Sequence, residues 1–304
     1  MSPKKPPAPI FSYETLVHAM AGSMGSVTAM TVFYPLDTVR ARLQLDDKQE
    51  AKNTVVMLKE LSKREGFSTL YRGLLPVLES LCVSNFVYFY SFHGLKSYMS
   101  RMGEASAVRD LLLGSIAGII NVLSTTPLWV VNTRIKMQGL PGESQQKVRY
   151  RGLIDGLYKV WKIEGLSALW SGTVPSLLLV INPALQFMTY ESLKRRLKLK
   201  YGDKELSSLV YFLVGAAAKT VATVLTYPLQ IVQTKLRHGH KMEGLRKDAS
   251  LVEIIQAIIL RHGVKGLFKG MESKIIQTVL TSALMFVVYE KIAAFVFRLM
   301  RLKK

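Results

Sequence analysis

Apolar and polar positions along this chain fall into long blocks. No Lys, Arg, Asp or Glu occurs over 15–36, 111–133 or 165–190, and 206–234 carries a single charge, Lys219. Two shorter uncharged blocks, 80–95 and 275–289, are bounded by Glu79, Lys96, Lys274 and Glu290. A membrane-spanning helix needs about 20 mainly apolar residues, and charged side chains at its ends are tolerated because they reach the interface. The pattern predicts six transmembrane helices, roughly at 14–42, 75–100, 108–137, 173–198, 206–237 and 272–298. Glycine and proline inside these blocks do not oppose helix, since both are commoner in membrane helices than in soluble ones. Between the blocks, 55–64, 153–163 and 251–261 have the apolar spacing of short amphipathic helices lying at the membrane surface.

Composition agrees with a membrane protein. Of 304 residues, 49% are hydrophobic, which excludes intrinsic disorder. Mean hydropathy is +0.20, yet 41 basic residues face 21 acidic ones, for a net charge of +20. Apolar helices in lipid and charges in loops reconcile the two values. A basic scaffold or nucleic-acid-binding protein is disfavoured, because the basic residues are spread over all loops and form no single patch. That spread also leaves sidedness undecided by the positive-inside rule, while an even helix count puts both termini on one side. The single cysteine, Cys82, excludes an intrachain disulfide framework and cysteine metal clusters. No G-x-x-x-x-G-K-[ST], HExxH or G-x-S-x-G is present, so no catalytic group, resident cofactor or metal site is expected. His238 and His240 sit in a basic loop and read as solvated. Residues 1–12 hold Lys4, Lys5 and four prolines, unlike a secretory signal or mitochondrial presequence, and the terminal Arg-Leu-Lys-Lys is not an S-K-L address.

A search for internal similarity finds a threefold repeat. Pro35, Pro127 and Pro228 open the octets PLDTVRAR, PLWVVNTR and PLQIVQTK, at spacings of 92 and 101 residues. Each repeat then carries a glycine followed five residues later by an aromatic and, two further on, another glycine: Gly66, Tyr71, Gly73; Gly165, Trp170, Gly172; Gly263, Phe268, Gly270. A third marker closes each even helix, at 92–96, 190–194 and 289–293. The expected division is a polar tail at 1–11, repeats at 12–102, 105–201 and 204–298, and a basic tail at 299–304.

This tripled signature resembles the mitochondrial carrier family, over about residues 12–300. The runs 26–37 and 128–134 resemble its peroxisomal branch. The resemblance implies an all-α barrel of six helices with pseudo-threefold symmetry, a central cavity and alternating access. It implies a transporter in the peroxisomal membrane that exchanges coenzyme A, FAD, FMN, NAD, AMP, ADP and ATP. The alternative is a nucleotide or cofactor carrier of the mitochondrial inner membrane. Its partners would be these anionic solutes, membrane lipid and a peroxisomal membrane-protein import receptor, with the carrier itself monomeric. Cofactors enter only as cargo. The aromatic-base-glycine sequences at helix starts resemble the family's lipid-headgroup sites, where helix N-terminal amides hold phosphate.

Site residues follow from the same resemblance. A proline bends a helix by removing a backbone hydrogen bond, so Pro35, Pro127 and Pro228 are the expected kinks. Family members close a lower gate with acid and base flanking each proline. Here only Asp37 and Arg40 keep charge, while Trp129 with Asn132 and Gln230 with Gln233 occupy the other places. A weaker, largely hydrogen-bonded gate is expected, tolerant of neutralisation at Asp37 or Arg40. Asp37 and Arg40 are also spaced for a purely local pair. The upper gate positions are His93 with Lys96, Glu191 with Lys194, and Glu290, whose third base is replaced by Ala293. Glu191 and Glu290 would pair with lysines on neighbouring even helices. Solute contacts lie about 13 residues before the upper acidic positions, at Ser80, Leu178 with Leu179, and Gln277, with Asn182 a turn beyond. Phosphate would be met by cations near the cavity, with Arg40, Lys219, Arg134, Lys235 and Lys274 as candidates. Lys219 replaces the second small residue of a small-xxx-small spacing seen as Gly22/Ser26 and Gly114/Gly118.

Overall fold

A computed structural model describes residues 13–45, 53–100, 107–138, 149–201, 208–239 and 249–299. The tails expected at 1–11 and, beyond Leu299, at 300–304 lie outside the described residues, as does the side chain of Glu290. The chain is all α, with ten α-helices among the described residues. They are α1 (Tyr13–Leu45), α2 (Thr54–Glu65), α3 (Leu74–Ser100), α4 (Ala107–Met137), α5 (Leu153–Glu164), α6 (Thr173–Leu178), α7 (Asn182–Tyr201), α8 (Ser208–His238), α9 (Leu251–His262) and α10 (Met271–Leu299). Four segments, Phe67–Met99, Val108–Met137, Leu166–Leu199 and Val210–His238, are long and apolar enough to cross a membrane. With α1 and α10 they make the six spans of a threefold barrel. One span departs from the expected continuous helix. A 3₁₀ turn at Leu179–Ile181 separates α6 from α7. Pro183 follows it, and a proline lacks the N–H and crowds the carbonyl four residues back, here that of Leu179.

Each repeat builds the same small core. In the first, Val39 and Leu43 of α1 meet Met57 and Leu61 of α2 and Leu70 of the following 3₁₀ turn. The second uses Val131 and Ile135 with Tyr150, Val160 and Leu169. The third uses Ile231 and Val232 with Ile254, Ile258 and Leu267. Full burial of such side chains is worth about 1.5–3 kcal/mol each relative to exposure. The short helices therefore lock onto the C-terminal halves of the proline helices. Asn53 caps α2 by accepting from the Val55 amide at 2.9 Å. Ser250 and Glu253 form a reciprocal capping box on α9. In α5, Asp155 accepts from Lys159 and from the Arg151 amide, and these bonds lower its carboxyl pKa.

The spanning helices pack mainly in three pairs, α1 with α10, α3 with α4 and α7 with α8. The three proline helices α1, α4 and α8 also touch one another, whereas among the described residues no comparable packing joins α3, α7 and α10. The barrel is thus drawn together at the proline end. Three glycines permit the close approach. Gly73, Gly172 and Gly270 start the even helices with φ of +82°, +80° and +77°, a region glycine enters without strain. A Cβ on Gly270 would meet the Arg40 carbonyl at 3.1 Å, the Tyr227 hydroxyl at 3.2 Å and Leu43 at 3.3 Å.

Candidate functional site

Below the prolines, each of α1, α4 and α8 presents one stripe at the second, fifth and ninth residue past its proline, a helical face spacing. The three stripes read Asp37, Arg40, Gln44; Trp129, Asn132, Lys136; and Gln230, Gln233, Arg237. Asp37 pairs with Arg40 on its own helix at 2.9 Å. It also pairs with Lys136 of α4, across the helix interface, with both side chains 8% exposed. Lys136 lies over the Tyr34 ring, 5.0 Å from its centroid. Gln44 donates to the Tyr227 hydroxyl of α8 at 3.1 Å. Arg237 of α8 stands over the Trp129 ring of α4, 6.0 Å from its centroid. The ninth residue of every stripe therefore engages the preceding repeat, in cyclic order.

The expectation that Asp37 finds only neutral partners across the helices is corrected by Lys136. The base is present but displaced one turn along the stripe. Asn132 and Gln233 reach serines on even helices and not each other. Asn132 donates to Ser80 at 2.7 Å, and Gln233 donates to Ser176 at 2.7 Å. Gln230 donates to Thr226 on its own helix at 3.2 Å. One turn further out, Arg42 forms a two-point pair with Glu65, at 3.1 Å for each bond. Arg134 forms the equivalent pair with Glu164, which receives its second nitrogen at 3.0 Å. In the third repeat His262 replaces the glutamate.

Above the gate, a cavity of about 500 Å³ opens between α3, α4, α6, α7 and α8. Its walls include Tyr88, Phe92, Asn121, Trp129, Leu179 and Arg237. The anticipated contact residues are placed unequally around it. Leu179 lines the cavity, and Leu178 beside it is 49% exposed. Asn182 donates to Thr226 of α8 at 3.0 Å. Ser80 and Gln277 are buried at 0% and 6% exposure. Arg134 is likewise buried and held by Glu164 and the Arg237 carbonyl, so it does not reach the cavity as expected. Lys235 is also buried. Lys219 has an exposed side chain and shares a face of α8 with Thr223, Thr226 and Gln230. Lys274 sits in the electrostatic field of Arg40, Asp37, Lys219 and Lys136, and Arg237 in that of Arg40. Arg40, Lys136, Lys219 and Lys274 thus form a basic cluster around Asp37 at the proline end, and Arg237 beside it lines the cavity. Asp110 lies at the opposite end of the cavity wall.

At the other mouth the expected ion pairs between even helices are not formed among the described residues. Lys96 pairs with Asp110 of α4 at 3.0 Å. Glu191 pairs with Lys194 on its own helix at 3.8 Å. His93 is exposed and packs on Phe89 and Phe92. Among the described residues no group of His, Cys, Asp and Glu could hold a metal ion.

Three tandem repeats of ten described helices, closed at the proline end and hollow above, meet a matching family model three times. The mitochondrial carrier protein model matches residues 11–103, 103–201 and 204–299. The chain belongs to the mitochondrial carrier family. This is a family of membrane transporters, and within it the similarity runs to the peroxisomal branch. The chain is 50% identical to peroxisomal membrane protein PMP34 of Mus musculus, across 97% of this chain and 98% of that one. It is 32% identical to the peroxisomal nicotinamide adenine dinucleotide carrier of Arabidopsis thaliana, across 92% and 95%. It is 31% identical to peroxisomal adenine nucleotide carrier 1 of Glycine max, across 92% and 91%. The carrier is a multi-pass protein of the peroxisomal membrane.

The sequence reading missed Gln44, Lys136 and Arg237. A signal for them existed. Nine residues past each proline lies on the same helical face as two and five, so a base absent at the fifth position could be sought one turn on.

Proposed function

We propose that this carrier exchanges nucleotide-type anionic cofactors by alternating access. The substrate class comprises coenzyme A, FAD, FMN, NAD and the adenine nucleotides AMP, ADP and ATP. The observation that carries this reading is the charge imbalance at the proline end, where Arg40, Lys136, Lys219 and Lys274 cluster around Asp37 and Arg237, beside Arg40, lines the cavity. Buried cations without counterions are costly, and a phosphorylated solute supplies the missing negative charge. Phosphate oxygens accept charge-assisted hydrogen bonds from Lys and Arg, which are shorter and stronger than neutral ones. A cavity of about 500 Å³ falls in the range that takes up a ligand of nucleotide size. The names of the relatives in Arabidopsis and soybean point to the same solutes.

In this reading the proline-end stripes form the lower gate, and His93, Lys96, Glu191, Lys194 and Glu290 form the upper one when the cavity turns over. The carrier works as a monomer in lipid and reaches its membrane through the import receptor for peroxisomal membrane proteins. The test is uptake of labelled AMP into proteoliposomes loaded with AMP, coenzyme A or buffer. Uptake that depends on an internal nucleotide supports exchange. Equal uptake into buffer-loaded vesicles rejects exchange, and no uptake of any nucleotide rejects the substrate class.

A further inference from the structure

We infer that Arg237, with Gln233 and Ser176, forms a phosphate-binding subsite on the floor of the cavity, against the face of the Trp129 ring. This rests on the nucleotide-type substrate class proposed above and names the residues that would take the phosphate.

The geometry is that of a built site. Arg237 lines the cavity together with Trp129, Ser176 and Gln233. One guanidinium nitrogen donates to the Ser176 hydroxyl at 3.1 Å, and Gln233 donates to the same oxygen at 2.7 Å. The hydroxyl oxygen accepts both bonds, and its own proton goes to the Gly172 carbonyl at 2.6 Å. Arg237 Nε is buried with no hydrogen-bond partner. Among the described residues no carboxylate pairs with Arg237, and the charge acting on it is that of another cation, Arg40. A half-buried guanidinium with a buried spare donor, a like-charged neighbour and an adjoining cavity suits an anion that comes and goes. The cavity's other end supports a phosphate joined to a ring system. Tyr88 and Phe92 line it as a stacked pair, ring centroids 6.3 Å apart.

The corresponding residues of the other two stripes show why Arg237 is different. Lys136 has Asp37. Gln44 is neutral and satisfied through its amide nitrogen by Tyr227. Arg237 alone combines charge with no carboxylate, so its charge is not needed to hold the helices together. Glutamine already serves at the equivalent place in the first repeat, which makes Arg237→Gln a substitution the architecture accommodates.

The experiment compares purified wild-type carrier with Arg237→Gln and Arg237→Lys by thermal unfolding, with and without AMP, coenzyme A, inorganic phosphate and adenosine. Wild type should be stabilised by AMP and coenzyme A and not by adenosine. Arg237→Gln should melt at the wild-type temperature or above it without solute, and its apparent affinity for AMP should fall at least tenfold. Arg237→Lys should fall between the two. An Arg237→Gln carrier that binds AMP as well as wild type overturns the subsite. So does one whose melting temperature drops without solute, because that assigns Arg237 to holding the helices. Wild type unmoved by every phosphorylated solute would instead overturn the substrate class, and that outcome is seen before any variant is compared.

Discussion

Replacing Asp37 by Asn should damage this carrier severely. Asp37 joins α1 to α4 through Lys136 and also holds Arg40, with the Asp37 and Lys136 side chains each 8% exposed. Taking one partner from a buried ion pair leaves the other uncompensated, at a cost of about 3–5 kcal/mol. Here two cations lose their partner and Lys274 loses the stabilising charge of Asp37, so the upper part of that range applies. Each 1.4 kcal/mol is a factor of ten, so the population with the proline end closed should fall by roughly three orders of magnitude or a little more. Purified Asp37→Asn should melt well below wild type and transport slowly in proteoliposomes. Asp37→Asn with Lys136→Gln should recover part of the loss, giving a coupling energy of about 1–3 kcal/mol in a double-mutant cycle. Recovery is incomplete because Arg40 and Lys274 remain. A singly substituted protein with wild-type melting and uptake, and coupling below about 0.5 kcal/mol, would refute the interhelix pair.

Lys219→Ala should weaken AMP uptake affinity several-fold while leaving the melting temperature unchanged or higher, because its side chain is exposed on α8 and acts on Lys274 as a like charge; a lower melting temperature with normal affinity would place it in packing instead. Gly270→Ala should destabilise by more than the about 1–2 kcal/mol that a side chain at positive φ costs, because its Cβ would also meet three neighbours at 3.1–3.3 Å. A loss in the melt no larger than the backbone cost would remove the close-approach role of Gly270.

The helices were legible because membrane burial leaves a coarse mark. An uncharged run is enough to find a span, and the expected 108–137 coincides with α4. The amphipathic helices were legible for a related reason, since α2, α5 and α9 each bury one stripe against a proline helix. The break after α6 was not read, because a proline in a membrane helix can either kink it or interrupt it, and Pro183 does the latter through a 3₁₀ turn. Gate chemistry was half legible. The depleted second and fifth positions were plain, but pairing depends on which residues face each other across helices, and Lys136 reaches Asp37 only because α1 and α4 converge. Arg134 shows the opposite error. A base near the cavity in sequence is not a base in the cavity, and Glu164 had already claimed it.

The central claim is that the basic cavity floor selects phosphorylated, nucleotide-type solutes. The most direct measurement is competition for labelled AMP uptake in proteoliposomes holding the wild-type carrier. Coenzyme A, NAD and ADP should suppress uptake at concentrations where malate and aspartate have no effect, since only the nucleotide-type solutes combine phosphate for the basic proline end with a ring system for the Tyr88 and Phe92 pair on the cavity wall. Malate or aspartate competing better than coenzyme A and ADP would contradict the account.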